Sequence, residues 1–236
     1  MLNLIRAHAA LLFAGVATFV MMGAGQSLFG PTLPVYARLY ALEDGQSGLL
    51  VSVLWVGCFL GVALMYLRGG VIGPRHALAA MALGAAGMAA IPGWGLTLVA
   101  AAVFGVGYGM STAVFNPRVM RAFGRHGPSM LSLLNATFGV GAIAAPLVFV
   151  GLGSDPAWAF GLTAGLAVAI WLGAGPAGRE GQAPMGEVKA PDHVQALADM
   201  PEWAKPVVMA AFKAAIKTPV KADATDVRPG QSRPAR

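Results

Sequence analysis

Charge is scarce in this chain. Only 11% of its 236 residues are charged and 57% are hydrophobic, with a mean hydropathy of +0.67. An average soluble domain carries about 25% charged residues. A soluble fold of this size has no means of hiding so much apolar surface behind so few charges, so the sequence reads as an integral membrane protein. The one cysteine, Cys58, excludes a disulfide framework and a thiolate metal cluster. His8, His76, His126 and His193 stand in unrelated contexts and make no ligand set, so no metal is expected. No Ser/His/Asp or Cys/His arrangement shares a location, so an enzyme is not expected. The net charge of +6 is small and scattered, which argues against nucleic acid as a partner.

The few charges divide the chain. Up to Gly178 the only acidic residues are Glu43, Asp44 and Asp155, and all five lysines (Lys189, Lys205, Lys213, Lys217, Lys221) lie beyond it. The boundary falls in the helix-breaking run Gly173-Ala174-Gly175-Pro176. Residues 1–176 are therefore expected to form an all-α, polytopic transmembrane domain, and 177–236 a polar, largely disordered cytoplasmic tail.

Within the first region, charge-free windows count the helices, each span needing about 20 apolar residues. His8–Arg38 holds one helix with an irregular end at Gly30-Pro31-Thr32-Leu33-Pro34, and Gly45–Leu67 holds a second. The window from Ala77 to Asn116 is twice the length of one span, and Ile91-Pro92-Gly93-Trp94-Gly95 divides it into two helices joined by a tight hairpin. Asn116-Pro117-Arg118 is expected to end the fourth helix at the interface. A fifth runs from about Met130 to Gly151. A sixth runs from about Ala157 to Leu172, capped by Asp155. Six spans follow.

Basic residues in short loops orient them. Arg6, Arg68, Arg75, Arg118, Arg121, Arg125 and Arg179 fall on one side and Arg38 alone on the other, seven against one. Both termini are therefore placed in the cytoplasm, in a cell inner (plasma) membrane. Tyr36, Trp94 and Trp158 read as aromatic anchors at the outer interface. In the tail, Lys205, Met209, Lys213 and Lys217 share a four-residue spacing, so a basic amphipathic helix near 202–217 could lie on anionic lipid. A weakly structured tail fits the same pattern.

Glycine is plentiful inside the spans. Gly57 with Gly61, Gly84 with Gly87, and Gly105, Gly107 and Gly109 mark positions where helix backbones approach closely. Gly105-Val106-Gly107-Tyr108-Gly109 is either packing or a pliable, gating segment. It is no phosphate loop, since no strand precedes it and no lysine follows, and no cofactor is expected. No Asp, Glu or Lys lies in a predicted span, which excludes an intramembrane carboxylate relay or metal site in this region. The polar residues that remain are Gln26, Ser27, Ser52, Ser111, Thr112, Asn116, Asn135 and Thr137. Such groups serve either as interhelical hydrogen-bonding partners or as contacts along a substrate path. Gln26, Asn116, Asn135 and Thr137 are the path candidates.

Several stretches together resemble a known family. They are Gly30-Pro31-Thr32-Leu33-Pro34, Gly45-Gln46-Ser47-Gly48, the basic loop Gly69–Arg75, Phe104-Gly105-Val106-Gly107-Tyr108-Gly109, and Asn135-Ala136-Thr137-Phe138-Gly139-Val140-Gly141-Ala142. From about Leu11 to Leu172 the chain resembles the N-terminal six-helix half of a major facilitator superfamily transporter. The Asn135–Ala142 stretch is most similar to the branch that includes sugar symporters. The resemblance implies two three-helix repeats, a cavity-lining first helix carrying Gln26, gating or packing roles for Gly139 and Gly141 beside Gly105, Gly107 and Gly109, and a cytoplasmic loop aligned on Gly73 and Arg75. In that loop Gly70, Val71 and Pro74 replace the family's Asp and two Arg, so its charge lock is missing. Ala102 stands at the position of the family's helix-four Arg.

The function this implies is a half-size carrier of a small solute, lodged in the lipid bilayer and working with a second copy of itself or another membrane protein. The rival expectation is a non-transporting accessory, assembly or scaffold subunit. A third is a truncated product whose tail replaced a second half.

Overall fold

A computed structural model describes residues 2–43, 45–68, 72–175, 177 and 206. The chain separates into two units, Met1–Met185 and Gly186–Arg236. The amphipathic helix expected near 202–217 belongs to the second unit and, Pro206 apart, lies outside the described residues.

The first unit is helical. After a short α1 (Leu2–Ala7) come six long helices: α2 (Ala9–Leu39), α3 (Leu49–Arg68), α4 (Pro74–Ala89), α5 (Trp94–Phe123), α6 (Gly127–Gly151) and α7 (Pro156–Gly173). Four stretches are long and apolar enough to cross a membrane: Ala9–Leu39, Gln46–Leu67, Trp94–Gly151 and Pro156–Gly173. The third of these contains both α5 and α6, joined by the single turn Gly124–His126. With 16 residues, α4 falls short of that length.

Local chemistry explains the helix ends. The Asp155 carboxylate accepts from the Ala157 N–H at 2.8 Å, and Pro156, needing no donor, occupies the first helical position of α7. Ile91 at φ 47° and Gly93 at φ 118° flank Pro92 in the hairpin between α4 and α5. Two expected breaks are absent. α2 runs unbroken through Pro31 and Pro34, and α5 runs through Asn116 and Pro117 to Phe123. A proline removes one backbone donor from a helix. Inside an apolar bundle, however, leaving the helix would expose every other backbone group. In α2 the hydroxyls of Ser27 and Thr32 fold back onto carbonyls of the same turns, Ser27 to Ala24 at 3.0 Å and Thr32 to Leu28 at 2.8 Å.

The bundle is assembled on glycines. A Cβ at Gly57 or Gly61 would sit on the carbonyl oxygens of Ala102 or Val106, and a Cβ at Gly105 or Gly109 on those of Leu54 or Cys58. The α3–α5 contact is thus reciprocal, backbone against backbone. The α2–α6 contact repeats it, Gly23 lying against Phe138 and Gly141 against Val20. On its other side α5 meets α4, where a Cβ at Gly107 would lie 2.5 Å from the Met81 nitrogen. The first helix of each triplet (α2, α5) therefore packs on the middle helix of the other (α6, α3). Pro74 and Pro156, which open α4 and α7, hold equivalent places in the two triplets.

Arg6, Arg75, Arg118, Arg121 and Arg125 lie at one end of the bundle. At the opposite end Tyr36 departs from the expected interface anchor. It is fully buried, its hydroxyl donating to the Met88 carbonyl at 3.2 Å near the end of α4, where helix carbonyls lack an internal partner. Its ring stacks on Tyr40, which shares a 3.0 Å hydrogen bond with Thr97 and faces Trp94. Trp158, 65% exposed, has the placement of an anchor.

The reciprocal seam predicts that Gly57→Val lowers unfolding stability by about 1–3 kcal/mol through overpacking. Gly139→Ala should instead leave stability unchanged or raise it by up to about 1 kcal/mol through helix propensity, because a Cβ there meets nothing within 4 Å. Denaturant unfolding in detergent measures both, and equal effects would contradict the close approach of α3 to α5.

Candidate functional site

The glycines of α5 face α3 (Gly105, Gly109) and α4 (Gly107), which turns the intervening Tyr108 toward α2. There its hydroxyl donates to the Oε1 of Gln26 at 3.0 Å, joining the two helices near their middles. Gly25 keeps α2 close, since a Cβ there would strike the Phe104 ring. Trp55 of α3 meets Tyr108 edge to face, centroids 6.1 Å apart, and remains 47% exposed. An amide, a phenol and a partly open indole thus share one uncharged patch. Of the three, sequence reasoning proposed Gln26 alone. In the sequence Tyr108 stands out only as part of a glycine run, and the cue to its role is its place as the one polar side chain between close-packing glycines.

The other candidates lie deeper toward the arginine-rich end. A Cβ at Gly15 would be 3.4 Å from Leu134 and 3.4 Å from Phe115, so α2, α5 and α6 meet at that level. Asn116 and Asn135, the next residues along, share it. Asn135 is exposed, and its Nδ2 donates to the Leu131 carbonyl of its own helix at 3.0 Å. Thr137 likewise donates to its own helix, to Leu134 at 2.8 Å. The Asn116 Oδ1 is buried and meets no donor within the described residues, a deficit of roughly 1–3 kcal/mol for a group shut off from water. Tyr108, Thr112 and Asn116 recur every fourth residue and form one stripe down α5, about 12 Å long at 1.5 Å per residue. Thr112 donates to the Tyr108 carbonyl at 3.2 Å. The structure therefore pairs Gln26 with Tyr108, sets Asn116 and Asn135 at a second level, and joins no two of the four original candidates by a hydrogen bond.

The remaining candidates have structural partners. Gly105, Gly107, Gly109 and Gly141 each lie against a neighbouring backbone, and Gly139 alone does not. Gly73 precedes α4, donating its N–H to the His76 Nδ1 at 3.2 Å. Arg75 reaches α7, its Nε donating to the Trp171 carbonyl at 3.3 Å and its guanidinium lying 4.7 Å from the centre of the Trp171 ring. A cleft of 190 Å³ between α2, α6 and α7 includes Val20, Ala24, Gly141, Ala145 and Thr163 in its lining. The Thr163 hydroxyl donates to the Ala159 carbonyl at 2.9 Å, and the rest of the named lining is apolar. No group of three or more His, Cys, Asp or Glu able to hold a metal occurs among the described residues.

The family described as Major Facilitator Superfamily matches residues 15–221 of the chain. No curated protein and no solved structure gives a significant match.

The Gln26–Tyr108 bond predicts measurable coupling. A double-mutant cycle with Gln26→Leu and Tyr108→Phe should return an interaction energy of about 0.6 kcal/mol, and at most about 1.7. Purely additive stabilities would show that the two side chains act separately.

Proposed function

The chain belongs to the major facilitator superfamily, a family of membrane transporters, and we propose that it carries a small solute as one half of a carrier. The other half is a second copy of the chain or a further six-helix unit. In this reading all six long helices cross the bilayer, α4 by local thinning of the membrane, and the arginine-rich end faces the cytoplasm with both termini, in the plasma membrane. The observation that carries the proposal is the hydrogen-bonded Tyr108–Gln26 pair beside the partly open Trp55 ring, midway along the bundle. Polar side chains in hydrocarbon mark pathways when they are not consumed by packing. Exposed Asn135 and the unmet acceptor of Asn116 extend that polar wall toward the cytoplasmic end. With no charged side chain on the wall, a solute is held by hydrogen bonds and ring contact. The similarity of Asn135–Ala142 to sugar symporters is compatible with a hydroxylated solute.

A second reading, a non-transporting accessory, assembly or scaffold subunit, is favoured by the lack of any Asp, Glu or Lys in the long helices, which leaves them without a carboxylate to couple to protons.

Native mass spectrometry of the gently purified chain separates the readings. A homodimer supports the carrier, a complex with an unrelated membrane protein supports the accessory role, and a lone monomer contradicts both. In liposomes offered a mixture of neutral solutes, the wild-type protein should accumulate one of them. Gln26→Ala and Asn135→Ala should reduce that uptake roughly tenfold, as expected for the loss of about 1.4 kcal/mol of contact, with the unfolding temperature unchanged in Asn135→Ala and lowered in Gln26→Ala only by the small amount its bond to Tyr108 accounts for. Parallel loss of uptake and thermal stability would assign both residues to helix packing instead.

A further inference from the structure

We infer that Arg75 and Arg118 form a two-point clasp on the chain leaving α7, fastening the arginine-rich ends of α4, α5 and α7 together through backbone carbonyls. Arg118 follows Pro117 in α5 and is only 7% exposed, and its NH1 donates to the Ala177 carbonyl at 3.3 Å. Arg75, in the first turn of α4, donates to the Trp171 carbonyl at 3.3 Å and stacks over that residue's indole. Between these two holds, Ala174 and Ala177 are fully buried, and a Cβ at Gly175 would lie 3.6 Å from the Arg75 guanidinium. Three helices distant in sequence are thus joined at one end by two side chains.

The chemistry follows from what surrounds them. From Gly45 to Arg179 the sequence holds a single acidic residue, Asp155, and it caps α7 at the opposite end. No carboxylate of the described residues is therefore at hand for these arginines. Arg118, withdrawn from water, needs acceptors, and the negative end of the α7 dipole favours both guanidinium groups, exposed Arg75 sharing the Trp171 carbonyl with the Ala174 N–H, which lies 3.4 Å from it. Trp171 and Ala177 lie within and just past the last turn of α7. Neither hold touches the glycine seams between α3 and α5 or between α2 and α6, and the far end of α7 stays fixed by Asp155 and by Phe160, whose ring packs on Phe29. The clasp can therefore open locally, releasing the end of α7 while the rest of the bundle stays closed.

Hydrogen–deuterium exchange on the full chain in nanodiscs tests this. Arg118→Met and Arg75→Met should each raise exchange in peptides spanning 171–177 by about tenfold or more, the loss expected for a charge-assisted hydrogen bond. Peptides spanning 100–110 on the α3–α5 seam should keep their wild-type rates. Trp171→Leu, which removes the stacking platform without stranding a buried charge, should raise exchange over the same segment by a smaller factor. Unchanged exchange at 171–177 in both arginine variants would overturn the clasp. So would a uniform rise along the chain, which would make the arginines general stabilisers. If either arginine variant fails to fold, Trp171→Leu decides alone, and wild-type exchange at 171–177 in that variant overturns the inference.

Discussion

No helix pair at the centre of this bundle could close as it does with a methyl group in the way. Apolar side chains gain little by leaving lipid for one another, so helices in a membrane associate through close van der Waals contact. Here that contact is backbone on backbone, Gly57 and Gly61 of α3 against Ala102 and Val106, Gly105 and Gly109 of α5 against Leu54 and Cys58, Gly23 against Phe138 and Gly141 against Val20. The rest depends on it. Because α5 is pressed against α3 on one side and α4 on another, Tyr108 is directed to α2 and finds Gln26.

The second governing feature is the scarcity of acidic residues among the described ones. Arginines gathered at one end of a membrane bundle would ordinarily be neutralised in part by carboxylates. Among the described residues the carboxylates, Glu43 and Asp155, lie at the other end, and Arg75 and Arg118 donate to carbonyls at and beyond the end of α7. The same shortage leaves the polar side chains of α2, α5 and α6 (Gln26, Tyr108, Asn116 and Asn135) without a charged neighbour among them. One compositional fact thus shapes both the closure of an end and the chemistry of the face.

Where sequence reasoning went astray, a local signal met a tertiary demand. Pro31, Pro34 and Pro117 read as helix ends, yet α2 and α5 continue through them, because breaking a helix among apolar neighbours strands more backbone groups than a proline does. Tyr36 read as an interface anchor because aromatics collect there, but the free carbonyl of Met88 claims its hydroxyl inside the bundle. Arg118 read as one more loop charge and is buried.

The sequence by itself determined membrane embedding, the positions of the long helices, the Asp155 cap, the 91–93 hairpin and the small-residue seams. Each is written in composition or in residues a few positions apart, where propensity and capping act. Only the tertiary structure decided which polar groups meet. Tyr36 and Met88 are 52 residues apart, Gln26 and Tyr108 82, and Arg75 and Trp171 96. No local preference reaches that far, and the partners are set by which glycine faces let which helices touch.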